Sequence, residues 1–253
     1  MAVEFDTGNL YSVSTADASV SLIGATGQAN LGSLEYNPHD GFYYAFTIES
    51  EAPFANLYRI ALSPGLDSVQ SVEHVGPTGV FVSEGGIAFG PDGTAYAVNA
   101  GVTVPALFEL DLTTGAATEI DFFEDRHASA GLGWRSDGML IGLDSTDNDV
   151  LLIDPSTAAV QVLSDVDFTI GRVGGLTLAG EVGYFVTAGP NADIPGSNAL
   201  YSFFASTGEQ QFIGSFENVI GGTGLSGLSV VPEPATLALL GLGGFGLLRR
   251  RLD

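Results

Sequence analysis

Along most of this chain, apolar and polar residues alternate in short bursts separated by turn residues. The plainest burst is Leu107-Phe-Glu-Leu-Asp-Leu112, whose two-residue period fits a half-buried antiparallel strand. Outside the last twenty-odd residues no segment sustains a helical period. The bursts recur in a fixed order. A first strand follows glycine or serine, at Leu34-Glu-Tyr36, Ile87-Ala-Phe89, Leu132-Gly-Trp134, Leu176-Thr-Leu178 and Leu228-Ser-Val230. A turn follows, with hairpin chemistry in Gly90-Pro-Asp-Gly93 and Arg135-Ser-Asp-Gly138. The spacing predicts second strands at residues 42–46, 95–98, 139–143 and 183–187. Third strands carry a Leu-aromatic or Leu-Leu pair: Leu10-Tyr11, Leu57-Tyr58, Leu107-Phe108, Leu151-Leu152, Leu200-Tyr201. Turns such as Thr113-Thr-Gly115 and Ser206-Thr-Gly208 lead to fourth strands at 19–23, 68–75, 117–120, 160–163 and 210–213.

Third-strand anchors at 10, 57, 107, 151 and 200 lie 44 to 50 positions apart. A four-stranded unit at that period is the mark of propeller blades. The expected fold class is therefore all-β, a five-bladed β-propeller closed by its two ends. Residues 228–231 would form the innermost strand of the last blade, and segments 3–5, 9–13 and 19–23 its other three. Such closure removes the exposed edges that an open array would leave. A β-sandwich pair would not keep five repeats in phase, whereas six or seven blades would require further N-terminal sequence. The body, 1–231, is thus read as one propeller domain, and 232–253 as a separate tail.

That tail has three parts: Val231-Pro232-Glu233-Pro234, an uncharged apolar run from Ala235 to Leu248, and Arg249, Arg250, Arg251. Fourteen helical residues span roughly 21 Å, short of the roughly 30 Å hydrocarbon core. The expected short hydrophobic helix can still insert if the bilayer thins and the arginines snorkel. The arginine cluster would then keep the C-terminus cytoplasmic and place the body outside. Gly241, Gly243 and Gly246 match G-x-G-x-x-G, but no βαβ unit surrounds them, so the match carries no nucleotide reading. The chain opens Met-Ala-Val-Glu-Phe with neither a basic start nor an apolar run. Since export needs a signal peptide, one is expected upstream, with Met1-Ala2 fitting the end of a cleavage site.

Composition adds two exclusions. With no cysteine there is neither a disulfide framework nor a thiolate nucleophile or metal site. Lysine is also absent, and residues 1–231 hold four arginines against 28 carboxylates, a formal charge of about −24. Such a surface repels nucleic acid and anionic membranes.

The order Pro-Glu-Pro, apolar helix, arginine cluster resembles the PEP-CTERM sorting signal of Gram-negative bacteria. The resemblance covers residues 231–251. It implies an exosortase partner, a membrane-embedded cysteine transpeptidase, transient inner-membrane anchoring before processing, and an association with exopolysaccharide or biofilm matrix. The body resembles the NHL, YVTN and quinoprotein-like propellers, chiefly in Gly90-Pro-Asp-Gly-Thr-Ala-Tyr96 and Leu107-Phe-Glu-Leu-Asp-Leu-Thr-Thr-Gly115. Those motifs are structural and assign no chemistry.

Sites on propellers lie on loops at the ends of the central channel. The loops before the inner strands offer Glu84, Arg126, His127 and Arg172 as candidate ligand contacts. Asp144, Asp147 and Asp149 form the densest acidic loop, with hard oxygens suited to calcium but without the EF-hand pattern. Otherwise no cofactor is indicated. His39, His74 and His127 show neither zinc nor triad spacing. His39 reads as a turn residue, and Trp134 as packing between blades. The expected function is a non-enzymatic binding or structural protein of the cell envelope, outer surface or matrix, with exopolysaccharide or a surface protein as partner. The alternative is a secreted propeller enzyme, glycoside hydrolase or lactonase-like. Two or more carboxylates from different blades meeting at the channel mouth would favour the enzyme. A mouth of alanine, serine and glycine would favour binding.

Overall fold

The computed structural model describes residues 1–48, 54–100, 102, 104–124, 127, 129–144, 146–147, 149–165, 172–188, 198–216, 220 and 224–231, without the side chains of Asp165, Arg172 and Ala188. The tail from Pro232 to Asp253, including the expected helix, Glu233, Pro234 and the three terminal arginines, lies outside these residues.

Among the described residues, twenty strands form five four-stranded antiparallel sheets. The closing blade holds β1 (Ala2–Glu4), β2 (Asn9–Val13) and β3 (Val20–Ala25). The first full blade comprises β4 (Leu31–Asn37), β5 (Phe42–Thr47), β6 (Asn56–Leu62) and β7 (Val69–Pro77). The second is β8 (Glu84–Phe89), β9 (Ala95–Ala100), β10 (Ala106–Leu110) and β11 (Ala117–Phe122). The third is β12 (Ser129–Trp134), β13 (Leu140–Asp144), β14 (Asp149–Ile153) and β15 (Val160–Asp165). In the fourth, β16 (Arg172–Ala179), β17 (Val182–Ala188), β18 (Ala199–Phe204) and β19 (Gln210–Ser215) lead to β20 (Leu225–Leu228). That last strand completes the closing blade in the order β20-β1-β2-β3.

The expected five-bladed architecture is the observed one, with two shifts of detail. The ring-closing strand covers Leu225–Leu228 rather than 228–231, because its partner β1 pairs Ala2 with Leu228 and Glu4 with Leu225. Every blade also carries a β-bulge at one place, between Leu10/Tyr11, Leu57/Tyr58, Leu107/Phe108, Val150/Leu151 and Leu200/Tyr201. The equivalent pair in the third blade is therefore Val150-Leu151, one position before the pair chosen from the sequence. Both Val150 and Leu151 are fully buried, so the apolar pattern alone left that register ambiguous.

The core lies between blades. Five apolar clusters each join two neighbours: Tyr44, Phe46 and Leu57 meet Ile87 and Leu110, for example, and Ile141 and Leu143 meet Phe185 and Tyr201. The ring closes through Val3 and Leu10 against Leu34 and Ile60, and through Leu200 against Leu225. At the axis the inner strands pack backbone to backbone. A Cβ on Gly86 would stand 2.6 Å from Gly131 C, one on Gly175 2.8 Å from Gly227 Cα, and one on Gly227 2.5 Å from Ser33 C. Ser33 completes this waist in a left-handed conformation (φ 61°), and its Oγ accepts a hydrogen bond from Ile87 N at 2.8 Å. Small residues at one layer of all five inner strands bring the blades into contact at the axis, leaving a recess on each side.

Candidate functional site: the two mouths of the axial channel

The two sides of the waist differ in how their polar groups are used. On the side where the inner strands begin, Asp144 is completely buried at the end of β13. Its Oδ1 accepts from Thr146 N at 2.8 Å and Asp147 N at 3.3 Å, and its Oδ2 lies 3.2 Å from His127 Nδ1. Ligand atoms of His127, Asp144 and Asp147 all fall within 4.8 Å of one another. Asp149, paired with Asp144 across β13 and β14, is not one of that group. One imidazole and two carboxylates suit zinc or another transition ion better than calcium, which takes six to eight oxygens. Asp144, however, already closes the turn that follows β13. Glu84 opens β8 and is part-buried. Arg126 lies outside the described residues, and of Arg172 only the backbone is described, paired with Ala188 at the start of β16.

The opposite side holds the group that the search of the loops missed. The triplets picked out in the sequence lie at the ends of the inner strands, the last running on from the final residue of β20, and their middle positions, viewed around the axis, are Glu35, Ala88, Gly133, Thr177 and Ser229. Four of these, with Tyr36, Pro38, Phe89, Trp134, Leu178 and Val230, line a cavity of ≈ 360 Å³. Ser229 Oγ donates to Glu35 Oε1 at 3.2 Å and accepts from Tyr36 N at 3.0 Å, while Tyr36 N also reaches Glu35 Oε1 at 3.1 Å. Thr177 Oγ1 bonds the same carboxyl and accepts from Val230 N at 3.2 Å. Blades one, four and five thus converge on a single acid.

Burial pushes the Glu35 carboxyl up to about 8, against the lowering effect of its hydrogen bonds from Tyr36, Thr177 and Ser229. Nearby, Tyr43 is buried, its Oη makes no hydrogen bond, and burial raises its pKa, with further contributions from Tyr36 and Glu35. A second cavity of ≈ 280 Å³ shares Thr177 and Val230 with the first and reaches Tyr184, Leu200 and Val231. Val231, the first residue of the expected sorting signal, therefore leaves the fold beside this mouth. The sequence signal was available: among the five triplets only Leu34-Glu-Tyr36 carries an acid. Glu35 lies within β4 at the far end from the loops that precede the inner strands, where the candidate contacts were expected.

A family model described as "Repeat of unknown function (DUF6923)" matches residues 3–184, and the model of the PEP-CTERM protein-sorting motif matches residues 230–251. No curated protein sequence matches the chain. Among solved structures, a chain in the crystal structure of a nidogen/laminin complex is 11% identical with a TM-score of 0.56, over 90% of this chain and 96% of that one. The periplasmic gluconolactonase of Pseudomonas aeruginosa is 11% identical at a TM-score of 0.50, over 83% of this chain and 65% of its own. TolB from Acinetobacter baumannii is 15% identical at 0.50, over 83% of this chain and 51% of its own. At these identities the likeness is one of fold. The sorting motif implies an exported protein, processed by an exosortase and sorted to the cell envelope.

Proposed function

This chain belongs to the DUF6923 repeat family, and from that premise we propose that it is a non-enzymatic binding module held at the cell surface or in the extracellular matrix. Its ligand site is the channel mouth around Glu35, and its partner is exopolysaccharide of a biofilm-type matrix. The observation that carries this reading is the composition of the mouth. Glu35 is the sole carboxylate among its lining residues, whose other axial positions are Ala88, Gly133 and Thr177. Hydrolysis of a glycosidic bond needs two carboxyl groups facing each other across about 5–9 Å. One acid beside Tyr36, Phe89 and Trp134 suits recognition instead, aromatic faces supplying area and hydroxyls orientation.

The test uses the full chain purified in detergent on a glycan array, with Trp134→Ala alongside. Binding to a glycan that weakens about tenfold in the variant, with folding unchanged, supports the reading. Retention of no glycan, or binding indifferent to Trp134, overturns it.

The His127–Asp144–Asp147 group on the other face favours a second reading, a metal-assisted hydrolase of the lactonase kind. Gluconolactone opening by the full chain that depends on added zinc or manganese and is lost in His127→Ala would support that reading and displace the first.

A further inference from the structure

Resting on the reading of this mouth as the ligand site, the geometry points to a protonated amino sugar as the residue it takes. The mouth is lined by aromatic side chains from three consecutive blades, Tyr36, Phe89 and Trp134, with one carboxyl among them and no basic side chain in the lining. Arg135, the residue after Trp134, is engaged elsewhere: Nε and Nη2 bond Asp137, and Nη1 bonds Ala205 O. Met1 N, also near this mouth, donates to Ser229 O at 2.8 Å. Among the described residues no arginine pairs with Glu35.

An ammonium group fits what is present. Its three N–H donors match the acceptors gathered from three blades, the remaining sites of the Glu35 carboxylate, of Ser229 Oγ and of Thr177 Oγ1. The unpartnered Tyr43 Oη is a further polar atom beside Glu35. Aromatic faces attract cations through their quadrupoles and accept the apolar face of a sugar ring. A carboxyl at about 8 must give up its proton to pair with the ammonium, which at pH 7 costs only about tenfold in affinity, less than a charge-assisted hydrogen bond to a carboxylate returns. A body of formal charge about −24 draws a polycationic glycan toward it. A neutral sugar would gain the stacking but not the charge pairing, and an anionic sugar would meet the acid directly.

The matched probes are the tetramer of glucosamine and the tetramer of N-acetylglucosamine, titrated calorimetrically into the full chain and into Glu35→Gln at 0.15 M salt. We expect the glucosamine tetramer to bind at least about tenfold more tightly, and Glu35→Gln to erase that preference while remaining folded at pH 7, with a melting temperature no lower than that of wild type. Tight binding that Glu35→Gln does not weaken would place the cation on the acidic surface and overturn the proposal. Equal binding of both tetramers with loss in Trp134→Ala would overturn the ligand class and leave the mouth as a glycan site. Binding of neither tetramer, with no glycan retained on the array, would remove both.

Discussion

The two mouths of one ring put a buried acid to opposite uses. Asp144, where the inner strands begin, accepts from two backbone N–H groups of the turn that follows β13 and lies against the His127 ring, so it serves the turn it closes. Glu35, on the other side of the waist, is met by a backbone N–H, Ser229 and Thr177, yet its burial outweighs them and it stays protonated to about pH 8. At Glu35 desolvation raises the carboxyl further than its hydrogen bonds lower it. The acid that closes its own turn is structural. The acid gathered from three blades and facing a cavity is the one with capacity for a ligand.

Breaking the waist would erase the comparison, and this is the largest effect expected. The Cβ of Gly227→Val would meet the backbone of Ser33 at 2.5 Å, where no side-chain rotation gives relief. Because that contact closes the ring, the cost should reach about 3 kcal/mol or more, at the upper end for overpacked sites. Chemical denaturation should show a lowered midpoint or an unfolded product. A variant within about 0.5 kcal/mol of wild type would mean that the blades do not pack at the axis as described.

The next effect sharpens the contrast between the acids. Glu35 has a folded pKa above its unfolded value, so the native state holds the extra proton between about pH 4.5 and 8. Its stabilisation is complete below pH 4.5, declines as pH rises through that window and is gone above about 8. The informative quantity is the difference between wild type and Glu35→Gln, in which the contributions of all other groups cancel. That difference should be small at pH 5 and grow to about 2–4 kcal/mol in favour of the glutamine by pH 8.5. Burial holds Tyr43, beside Glu35, above its usual range, so it does not ionise there. The exposed turn acids Asp17, Asp92, Asp111 and Asp154, lowered by hydrogen bonds from their own turns, lose their contribution only in stronger acid. Melting curves from pH 5 to 8.5 that run parallel for the two proteins would refute the buried, protonated state.

On the other face, Asp144→Ala should cost about 2 kcal/mol, since it strips partners from two backbone N–H groups and the His127 ring. The loss should be similar with and without divalent metal. A loss that appears only in the presence of zinc or manganese would show that the three donors hold an ion and that this mouth, too, is built for a ligand.

The sequence disclosed the ring more readily than the mouth because the two leave different traces. Blade number rests on apolar anchors such as Leu10, Leu57, Leu107 and Leu200, repeated at one period and visible without coordinates. The PEP-CTERM tail is a contiguous string and equally visible. Glu35, by contrast, becomes a site only because Thr177 and Ser229, more than 140 and 190 positions away, arrive at the same height on the axis. Local sequence can mark the odd acid in a repeated triplet, but not the direction in which that position points. His127 and Asp144 were each chosen, for different reasons, and their contact across β12 and β13 followed only from the fold.

The smallest expected effect lies at the waist itself, where one residue departs from the glycine pattern. Ser33 occupies the place held by Gly86, Gly131, Gly175 and Gly227, with φ of 61°. A left-handed serine costs about 1 kcal/mol relative to glycine, which Ser33→Gly would recover. The same change removes the acceptor of Ile87 N, a fully enclosed donor whose loss costs about 1–3 kcal/mol. The second term exceeds the first, so Ser33→Gly should destabilise by about 1 kcal/mol. Ser33→Ala loses the acceptor and keeps the strain, and should fall about 1 kcal/mol lower again. Denaturation midpoints of the three proteins in the order serine, glycine, alanine would show that the hydrogen bond between the first two blades outweighs the backbone strain. Glycine above serine would show that the waist is held by close approach alone, as it is between the glycines of the other blades.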